Sequence, residues 1–271
     1  MRNPPAVDRV RFPKLAPDYW ELRLELAPHT VSGVSVAALA TAFALPDCRT
    51  AVDMGRCSAV LAAQDTVLLT HCHSDHVAGL IAWLSAHTRR HRGRPTRVVL
   101  PAERRDELLA ALAIWPDLDG VRRRVDLDRS LIAARPGSVI ALETGWSATA
   151  FRVHHNTPSL GWSIRADGAT RPLATFAGDS SVLPFRERPD LLDAEVAVVD
   201  CSFIDPGGRV AARLGGHGHL VDWLELLPDL TCDTLVLAHL PPEATAERVL
   251  ERMPATLPGA ATVVPWLAPP R

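Results

Sequence analysis

Short runs of apolar and β-branched residues alternate along this chain with longer stretches of helical spacing. Glu21–Leu26 alternates like a half-buried strand, and Val31–Leu45 is typical of a buried hairpin. Further strands are predicted at Arg49–Asp53, Thr66–Thr70, Arg97–Leu100, Ser147–Val153, Trp162–Arg165, Leu173–Ala177, Glu195–Asp200, Thr234–Ala238 and Ala261–Pro265. Helices are predicted at Val77–His87, Glu103–Ile114, Leu220–Leu227 and Glu243–Arg252. Strand runs mixed with single helices predict two sheets with helices outside.

Polar residues stand at or just after the ends of five predicted strands. They are Asp53, His71, Asp179, Asp200 and His239. Strand ends gather side chains from distant parts of a chain onto one rim, where a site can be built. We therefore expect these residues to lie near one another.

Composition and charge describe an ordinary globular protein. Hydrophobic residues make up 47% of the 271 residues, which is enough for a sizeable core. The net charge of −2 gives no global attraction to nucleic acid, although a local basic patch could still bind it.

Cysteine usage and apolar runs bear on the compartment. The five cysteines include no C-x-x-C pair, so we expect a reducing cytoplasm rather than a disulfide framework. Cys57 and Cys72 are interpreted as small buried hydrophobic residues. No signal peptide is predicted, and Val31–Leu45 is too short to span a bilayer, so no membrane contact is expected.

Three histidines and an aspartate fall within six residues, in the run His71-Cys72-His73-Ser74-Asp75-His76. Imidazole and carboxylate are the usual ligands of zinc and its first-row neighbours. On a loop after a strand, residues i and i+2 can face one metal, and residues i+4 and i+5 can face a second. Two metals about 3.5–4 Å apart can clamp the attacking and leaving oxygens of a displacement.

This H-x-H-x-D-H motif after an apolar strand resembles the signature of the metallo-β-lactamase superfamily. The resemblance implies an α/β fold, the αββα sandwich, with two mixed β-sheets packed face to face and helices outside. It implies a single domain over 1–271. Asp53 matches an aspartate that often supports the metal loop in the superfamily, and we assign it that role outside the ligand set.

Later motifs resemble the RNase Z (tRNA 3′ endonuclease) branch of the superfamily. The segment from His154 to Trp162 is similar to H-x-x-P-S-L-G-Y, and counting back three residues from Pro158 makes His155 the ligand. The roles of His154 and His155 could be exchanged. Asp179, in Gly178-Asp179-Ser180, matches the aspartate that bridges both metals in that branch.

The last two motifs complete the resemblance. The segment Asp200-Cys201-Ser202-Phe203 is similar to an acidic-x-Thr-Phe motif, and Gly216-His217-Gly218 to a Gly-His motif. The resemblance pairs His217 with Asp200 near the scissile phosphate, with His219 as the alternative to His217. An imidazolium held by a carboxylate can stabilise phosphate charge or protonate a leaving oxygen. His239, after the strand Leu235–Ala238, matches the last metal ligand.

The resemblance therefore implies two divalent ions, zinc first, with manganese or iron as alternatives. His71, His73 and His155 would hold one ion, Asp75, His76 and His239 the other, and Asp179 would bridge them. A water or hydroxide between the ions would be the nucleophile. Asp75, His217 and Asp200 are the residues expected to be needed for catalysis.

The chain also departs from the branch. RNase Z carries an extended tRNA-gripping arm between the third-motif histidine and the bridging aspartate, whereas here the interval from 155 to 179 spans only 24 residues. The glycine-rich N-terminal loop is not evident either. Two basic runs, Arg89–Arg97 beside the metal helix and Arg122–Arg124, could bind phosphates or be solvated surface.

Three functions remain open. The first is a metal-dependent phosphodiesterase acting on RNA or on a small phosphodiester. The second is a hydrolase of a small thioester, lactone or amide, in which the same nucleophile attacks a carbonyl. The third is a non-catalytic binding module, which a chain unable to take up metal would favour. The family often forms homodimers, so we expect one here.

Overall fold

The computed structural model describes residues 7–15, 21–90, 93–115, 125–143 and 145–269. Its first sheet has eight strands, which pair in chain order. They are β1 (Lys14–Leu15), β2 (Leu22–Leu26), β3 (His29–Val36), β4 (Ala40–Leu45), β5 (Thr50–Val52), β6 (Thr66–Leu68), β7 (Arg97–Pro101) and β8 (Leu131–Ala134). The strands pair antiparallel from β1 to β5 and parallel from β5 to β8.

The second sheet repeats this pattern with seven strands. They are β9 (Val139–Leu142), β10 (Trp146–Arg152), β11 (Leu160–Ala166), β12 (Ala174–Phe176), β13 (Val196–Asp200), β14 (Thr234–Ala238) and β15 (Thr262–Pro265). The pairing is antiparallel from β9 to β12 and parallel from β12 to β15. Each sheet is therefore mixed, with a parallel half whose strands all end at one edge.

The helices lie in the connections between strands. Those of the described residues are α1 (Ala59–Ala62), α2 (Ser74–Val77), α3 (Leu80–Arg90), α4 (Arg105–Ala113), α5 (Leu127–Ser130), α6 (Leu183–Glu187), α7 (Arg209–Gly215), α8 (Leu220–Leu226) and α9 (Ala246–Glu251). Polar side chains mark several starts: the hydroxyl of Ser58 accepts the amide of Leu61 in α1, and that of Thr245 accepts the amide of Arg248 in α9.

Three apolar clusters show how the layers pack. The central cluster joins the two sheets and contains Phe43 and Leu68 from the first and Trp162 and Phe176 from the second. A second cluster packs α6, α8 and α9 on the outer face of the second sheet, and a third packs α1, α3 and α4 on the outer face of the first. The predicted αββα sandwich is confirmed.

The predicted hairpin at Val31–Leu45 is formed by β3 and β4, which pair through Ser32–Ala44 and Val36–Ala40. The other predicted strands and helices are found within a few residues of their expected bounds. The sequence did not predict the short strands β1, β8 and β9 or the helices α1, α5, α6 and α7. No helix among the described residues is long and apolar enough to cross a membrane.

The basic run Arg89–Arg97 begins at the end of α3, the helix that follows the metal loop, but its described residues do not lie beside the loop itself. Arg97 pairs with Thr66 at the beginning of parallel strand β6, whereas His71 follows the end of that strand. Arg97 therefore lies at the opposite edge of the sheet from the metal loop, because α3 carries the chain away from the loop. Arg94 makes an ion pair with the fully buried Asp65, so this part of the run is structural. Arg122–Arg124 lies outside the described residues.

Candidate metal centre

The carboxyl ends of the parallel strands in both sheets meet at the predicted site. Asp53 follows β5, His71 follows β6, Asp179 follows β12, Asp200 ends β13 and His239 follows β14. Asp53 and His239 have positive φ angles of 58° and 53°, which are uncommon for residues with a Cβ. Such conformations persist where the surrounding structure fixes them, and they are concentrated at functional sites.

The first group of convergent side chains contains His71, His73, His155 and Asp179. Nε2 of His155 lies 3.4 Å from Nδ1 of His73 and 4.0 Å from Oδ2 of Asp179. Nε2 of His71 lies 3.7 Å from the same carboxylate oxygen. Four ligand-type atoms from three separate segments thus surround one point.

The second group contains Asp75, His76 and His239. Oδ2 of Asp75 lies 3.1 Å from Nε2 of His239 and 3.6 Å from Nε2 of His76. The amide of Ala38, in the turn between β3 and β4, donates to the same oxygen at 3.0 Å and so fixes the carboxylate. These contacts bring the short helix α2, which contains Asp75 and His76, next to the end of β14.

Asp179 lies between the two groups. Its Oδ1 is 3.3 Å from Nε2 of His76, and its Oδ2 is 3.5 Å from Nε2 of His239 and 3.7 Å from Nε2 of His71. Its side chain is 3% exposed. Asp179 thus faces imidazoles of both groups.

Three imidazoles of the cluster are also fixed by hydrogen bonds at Nδ1, on the side of the ring away from the other ligands. Nδ1 of His76 donates to Oδ2 of Asp53 at 2.8 Å, and Nδ1 of His155 to the carbonyl of Gly216 at 3.1 Å. Nδ1 of His71 meets Oγ1 of Thr70 at 3.0 Å, and that hydroxyl donates to Asp53 at 2.9 Å. These bonds place the hydrogen on Nδ1 and leave Nε2 free to be a ligand.

Burial and charge act in opposite directions on these groups. Burial and the neighbouring His76 hold the pKa of His71 well below its ordinary value. Burial would also lower the pKa of His76, but Asp53 and Asp179 outweigh it and raise that pKa well above the ordinary value. Burial would raise the pKa of Asp179, but His239 and His76 hold it well below the usual range. The cluster therefore keeps a charged carboxylate among imidazoles.

Asp200 and His217 form a second pair at the edge of the cluster. Nδ1 of His217 donates to Oδ2 of Asp200 at 2.7 Å and lies 3.9 Å from Oδ2 of Asp179. Burial lowers the pKa of His217, but the hydrogen bond to Asp200 raises it above the ordinary value overall. The side chain of His217 is 22% exposed, whereas that of Asp200 is fully buried. The pair presents a polarised imidazole to incoming molecules.

The two alternative histidines lie elsewhere. Nδ1 of His154 contacts the hydroxyl of Ser181 at 2.8 Å, and His154 is in neither group of convergent ligand atoms. His219 is buried, and its Nδ1 accepts the amide of Val221 as the N-cap of α8. The structure thus brings His155 and His217 to the cluster, rather than His154 and His219.

The two cysteines near the metal loop, Cys57 and Cys72, pack as apolar side chains. Cys57 and Cys72 are half-buried and pack against the outer cluster of the first sheet. Burial raises the pKa of each thiol to about 11, so neither is a thiolate near neutral pH.

The donor set fits divalent ions. Nε2 of His71 and Oδ1 of Asp179 are buried and have no hydrogen-bond partner among the described residues. Buried polar atoms without partners are costly, and a cation between them would satisfy both. Imidazole nitrogens with carboxylate oxygens are the donor set of zinc and related first-row ions.

Sequence reasoning missed three residues that support the cluster. Thr70 and Ser202 hold imidazoles through their hydroxyls, and Gly216 does so through its carbonyl. The only sequence signal is their position beside a ligand or the Asp200 carboxylate. Nothing in residue type alone distinguishes such a serine or threonine from an ordinary turn residue.

The segment between His155 and Asp179 carries no inserted arm. It is occupied by β11, β12 and the turn between them, and all of it is described. The predicted absence of the arm is confirmed.

Comparison with known proteins supplies the family. A family model described as a beta-lactamase superfamily domain matches residues 44–240. The chloroplastic tRNase Z TRZ2 of Arabidopsis thaliana is 23% identical over an alignment of 263 residues, which covers 84% of this chain and 72% of that protein. The nuclear ribonuclease Z of Triticum aestivum is 30% identical over 142 residues, which covers 52% of this chain and 78% of that protein.

Solved structures show the same fold. The metallo-beta-lactamase fold protein YhfI of Bacillus subtilis superposes with a TM-score of 0.57 at 18% identity, over 87% of this chain and 93% of that chain. The match of the family model to most of the chain, together with the relatives and the motifs, decides its classification. The chain belongs to the beta-lactamase superfamily. It is a metal-dependent hydrolase of the ribonuclease Z-like branch of that superfamily.

Proposed function

We propose that this hydrolase is a phosphodiesterase that acts on RNA or on a small phosphodiester. In this proposal His71, His73 and His155 would hold one divalent ion, and Asp75, His76 and His239 would hold the other. Asp179 would be a ligand shared by the two groups. Zinc is the proposed metal, because the donors are mostly imidazole.

The observation that carries the proposal is the Asp200–His217 pair beside the cluster. A phosphodiester needs its leaving oxygen protonated and its developing charge stabilised. His217 is fixed by a 2.7 Å hydrogen bond to a buried carboxylate and is exposed enough to meet a substrate. It is therefore placed to donate a proton to a leaving oxygen, while Asp200 orients the imidazole and holds its positive charge.

The other residues of the chain prepare the site. Asp53 and Thr70 orient His76 and His71, and Ala38 fixes Asp75, so the donors are pre-positioned. When bound, two divalent ions supply Lewis-acid stabilisation of the phosphate and activate a water molecule. The chain supplies the orientation and the proton.

The relatives support a phosphodiester in particular. Two of them are named tRNase Z or ribonuclease Z, which act on RNA. The short interval between His155 and Asp179 and the net charge of −2 favour short or flexible substrates over a folded RNA held by an arm. We therefore place single-stranded RNA ends and small diesters first among the substrates.

The test is hydrolysis of bis(p-nitrophenyl) phosphate by the zinc-loaded or manganese-loaded protein. Asp75→Ala is the blank, because it removes a carboxylate shared by His76 and His239. We expect turnover well above the blank. A protein shown to hold metal but without turnover would contradict the phosphodiesterase, and thioesters and lactones would be assayed next. A protein that cannot take up metal would instead favour a binding module.

A further inference from the structure

Two carboxylates hold the cluster in the same way, one from each sheet. Asp53, after β5, accepts Nδ1 of His76 directly at 2.8 Å and reaches His71 through the hydroxyl of Thr70. Asp200, at the end of β13, accepts Nδ1 of His217 directly at 2.7 Å. It reaches His239 through the hydroxyl of Ser202.

The hydrogens of the second arrangement can be assigned from the chemistry. Oγ of Ser202 lies 2.6 Å from Oδ1 of Asp200, and a carboxylate only accepts, so the hydroxyl hydrogen points to Asp200. The same oxygen lies 2.8 Å from Nδ1 of His239 and must accept from it. His239 therefore carries its hydrogen on Nδ1, and its Nε2 lone pair faces Asp75 and Asp179.

The backbone fixes this serine. The amide of Ser202 donates to Oδ1 of Asp200 at 2.7 Å, which closes a turn directly after β13. The amide of His239 donates in turn to the buried hydroxyl of Ser35 on β3 at 2.8 Å. His239 is thus held at its backbone from one sheet and at its ring from the other.

We infer that Ser202 is a positioning residue for the second metal ion, acting between Asp200 and His239. The inference rests on the proposed ligand role of His239. It gives Asp200 two duties, since the same carboxylate holds the proton donor His217 and, through Ser202, a metal ligand. Partners behind a ligating histidine raise its basicity and fix its orientation, and their loss weakens metal binding about 10–100-fold.

The experiment measures zinc affinity by competition with a chromophoric chelator in wild-type, Ser202→Ala and Ser202→Thr proteins. Ser202→Ala should lower the affinity for one of the two zinc ions by about 10–100-fold. Ser202→Thr should keep the wild-type affinity, because threonine retains the hydroxyl. Thr88→Ala is the matched control, since the half-buried Thr88 hydroxyl donates to the carbonyl of Leu84 within α3. It should bind both ions like the wild type.

His217→Ala separates the two duties of Asp200. It removes the direct partner of the carboxylate and a longer contact, 3.3 Å between Nδ1 of His217 and Oγ of Ser202, but leaves the bonds of Ser202 to Asp200 and His239. Both zinc ions should therefore bind normally. The inference is overturned if Ser202→Ala keeps both ions at wild-type affinity, or if Ser202→Thr is as weak as Ser202→Ala. Affinity is read without any substrate, so a failure of the phosphodiesterase proposal in the hydrolysis assay remains distinguishable.

Discussion

At the scale of single residues, the site separates groups that hold a cation from a group that moves a proton. Four imidazoles of the two ligand groups have buried rings and outer nitrogens that meet carboxylate, hydroxyl or carbonyl oxygens: His71, His76, His155 and His239. His217 differs, because its ring is partly exposed and its partner is a buried carboxylate. The same residue type is thus placed in two environments that favour two roles.

His217→Ala tests that separation. We expect kcat for a diester to fall about 10²–10⁴-fold, which is the range for loss of general acid–base catalysis. The zinc content should stay at the wild-type value, because none of the proposed ligands loses its partner. Metal content by atomic absorption and steady-state kinetics would be measured on the same preparation. Loss of metal from this variant would show that His217 is a ligand instead of an acid.

At the scale of elements, α7 and the turn after it join two functional histidines. Gly216 ends α7 with a φ of 72°, its carbonyl accepts from His155, and the next residue is His217. The helix is held to α8 by Arg209 and Arg213, which both donate to the buried Asp222. The turn therefore links α7 to the site, because the position of Gly216 sets where its carbonyl meets His155.

Gly216→Ala tests this connection. An added Cβ would lie 2.6 Å from Cα of His155, and the positive φ would cost about 1–2 kcal/mol. Gly137→Ala is the matched control, because Gly137 also has a positive φ but an added Cβ meets nothing within 4 Å. Both variants should have a lower free energy of unfolding in a denaturant titration. Only Gly216→Ala should also bind zinc more weakly. Equal zinc affinity in the two variants would contradict the role of the turn.

The sequence predicted the strand ends well and the connections poorly. Asp53, Asp179 and His239 follow apolar runs, and the parallel pairing of such runs brings their ends to one edge. In α7, however, Val210 and Leu214 are 69% and 83% exposed, so the apolar spacing does not mark a buried face. That helix is fixed by charged side chains from another segment, and no local pattern reveals such contacts.

At the scale of the whole molecule, the proposed ligands come from both sheets. The run His71–His76 follows β6 of the first sheet, whereas His155, Asp179 and His239 follow β10, β12 and β14 of the second. At this edge, the described residues join the end of β3 to the chain after β14 through the bridge between Val36 and Leu240, the amide of Ala37 on the carbonyl of Leu240, and the amide of His239 on the hydroxyl of Ser35. Bound ions would therefore tie the two sheets together where the site lies.

Metal removal should consequently lower the stability of the whole fold. Free zinc at 100 times its Kd adds about 2.7 kcal/mol for one site. For a chain of this size that corresponds to a rise in Tm of about 5–10 °C. Differential scanning calorimetry of the chelator-treated protein, with and without added zinc, would measure it. Asp75→Ala should gain less from zinc, and an unchanged Tm in a wild-type protein shown to bind zinc would refute the prediction.

The short interval between His155 and Asp179 has a consequence for selectivity. Binding energy from parts of a substrate far from the reacting bond can be used to speed the reaction at that bond. Two strands and a turn fill this interval, so this segment provides no surface that could bind a long substrate far from the reacting bond. The rate would then depend on the reacting group itself, and the enzyme would rank diesters by the basicity of the departing oxygen rather than by their length.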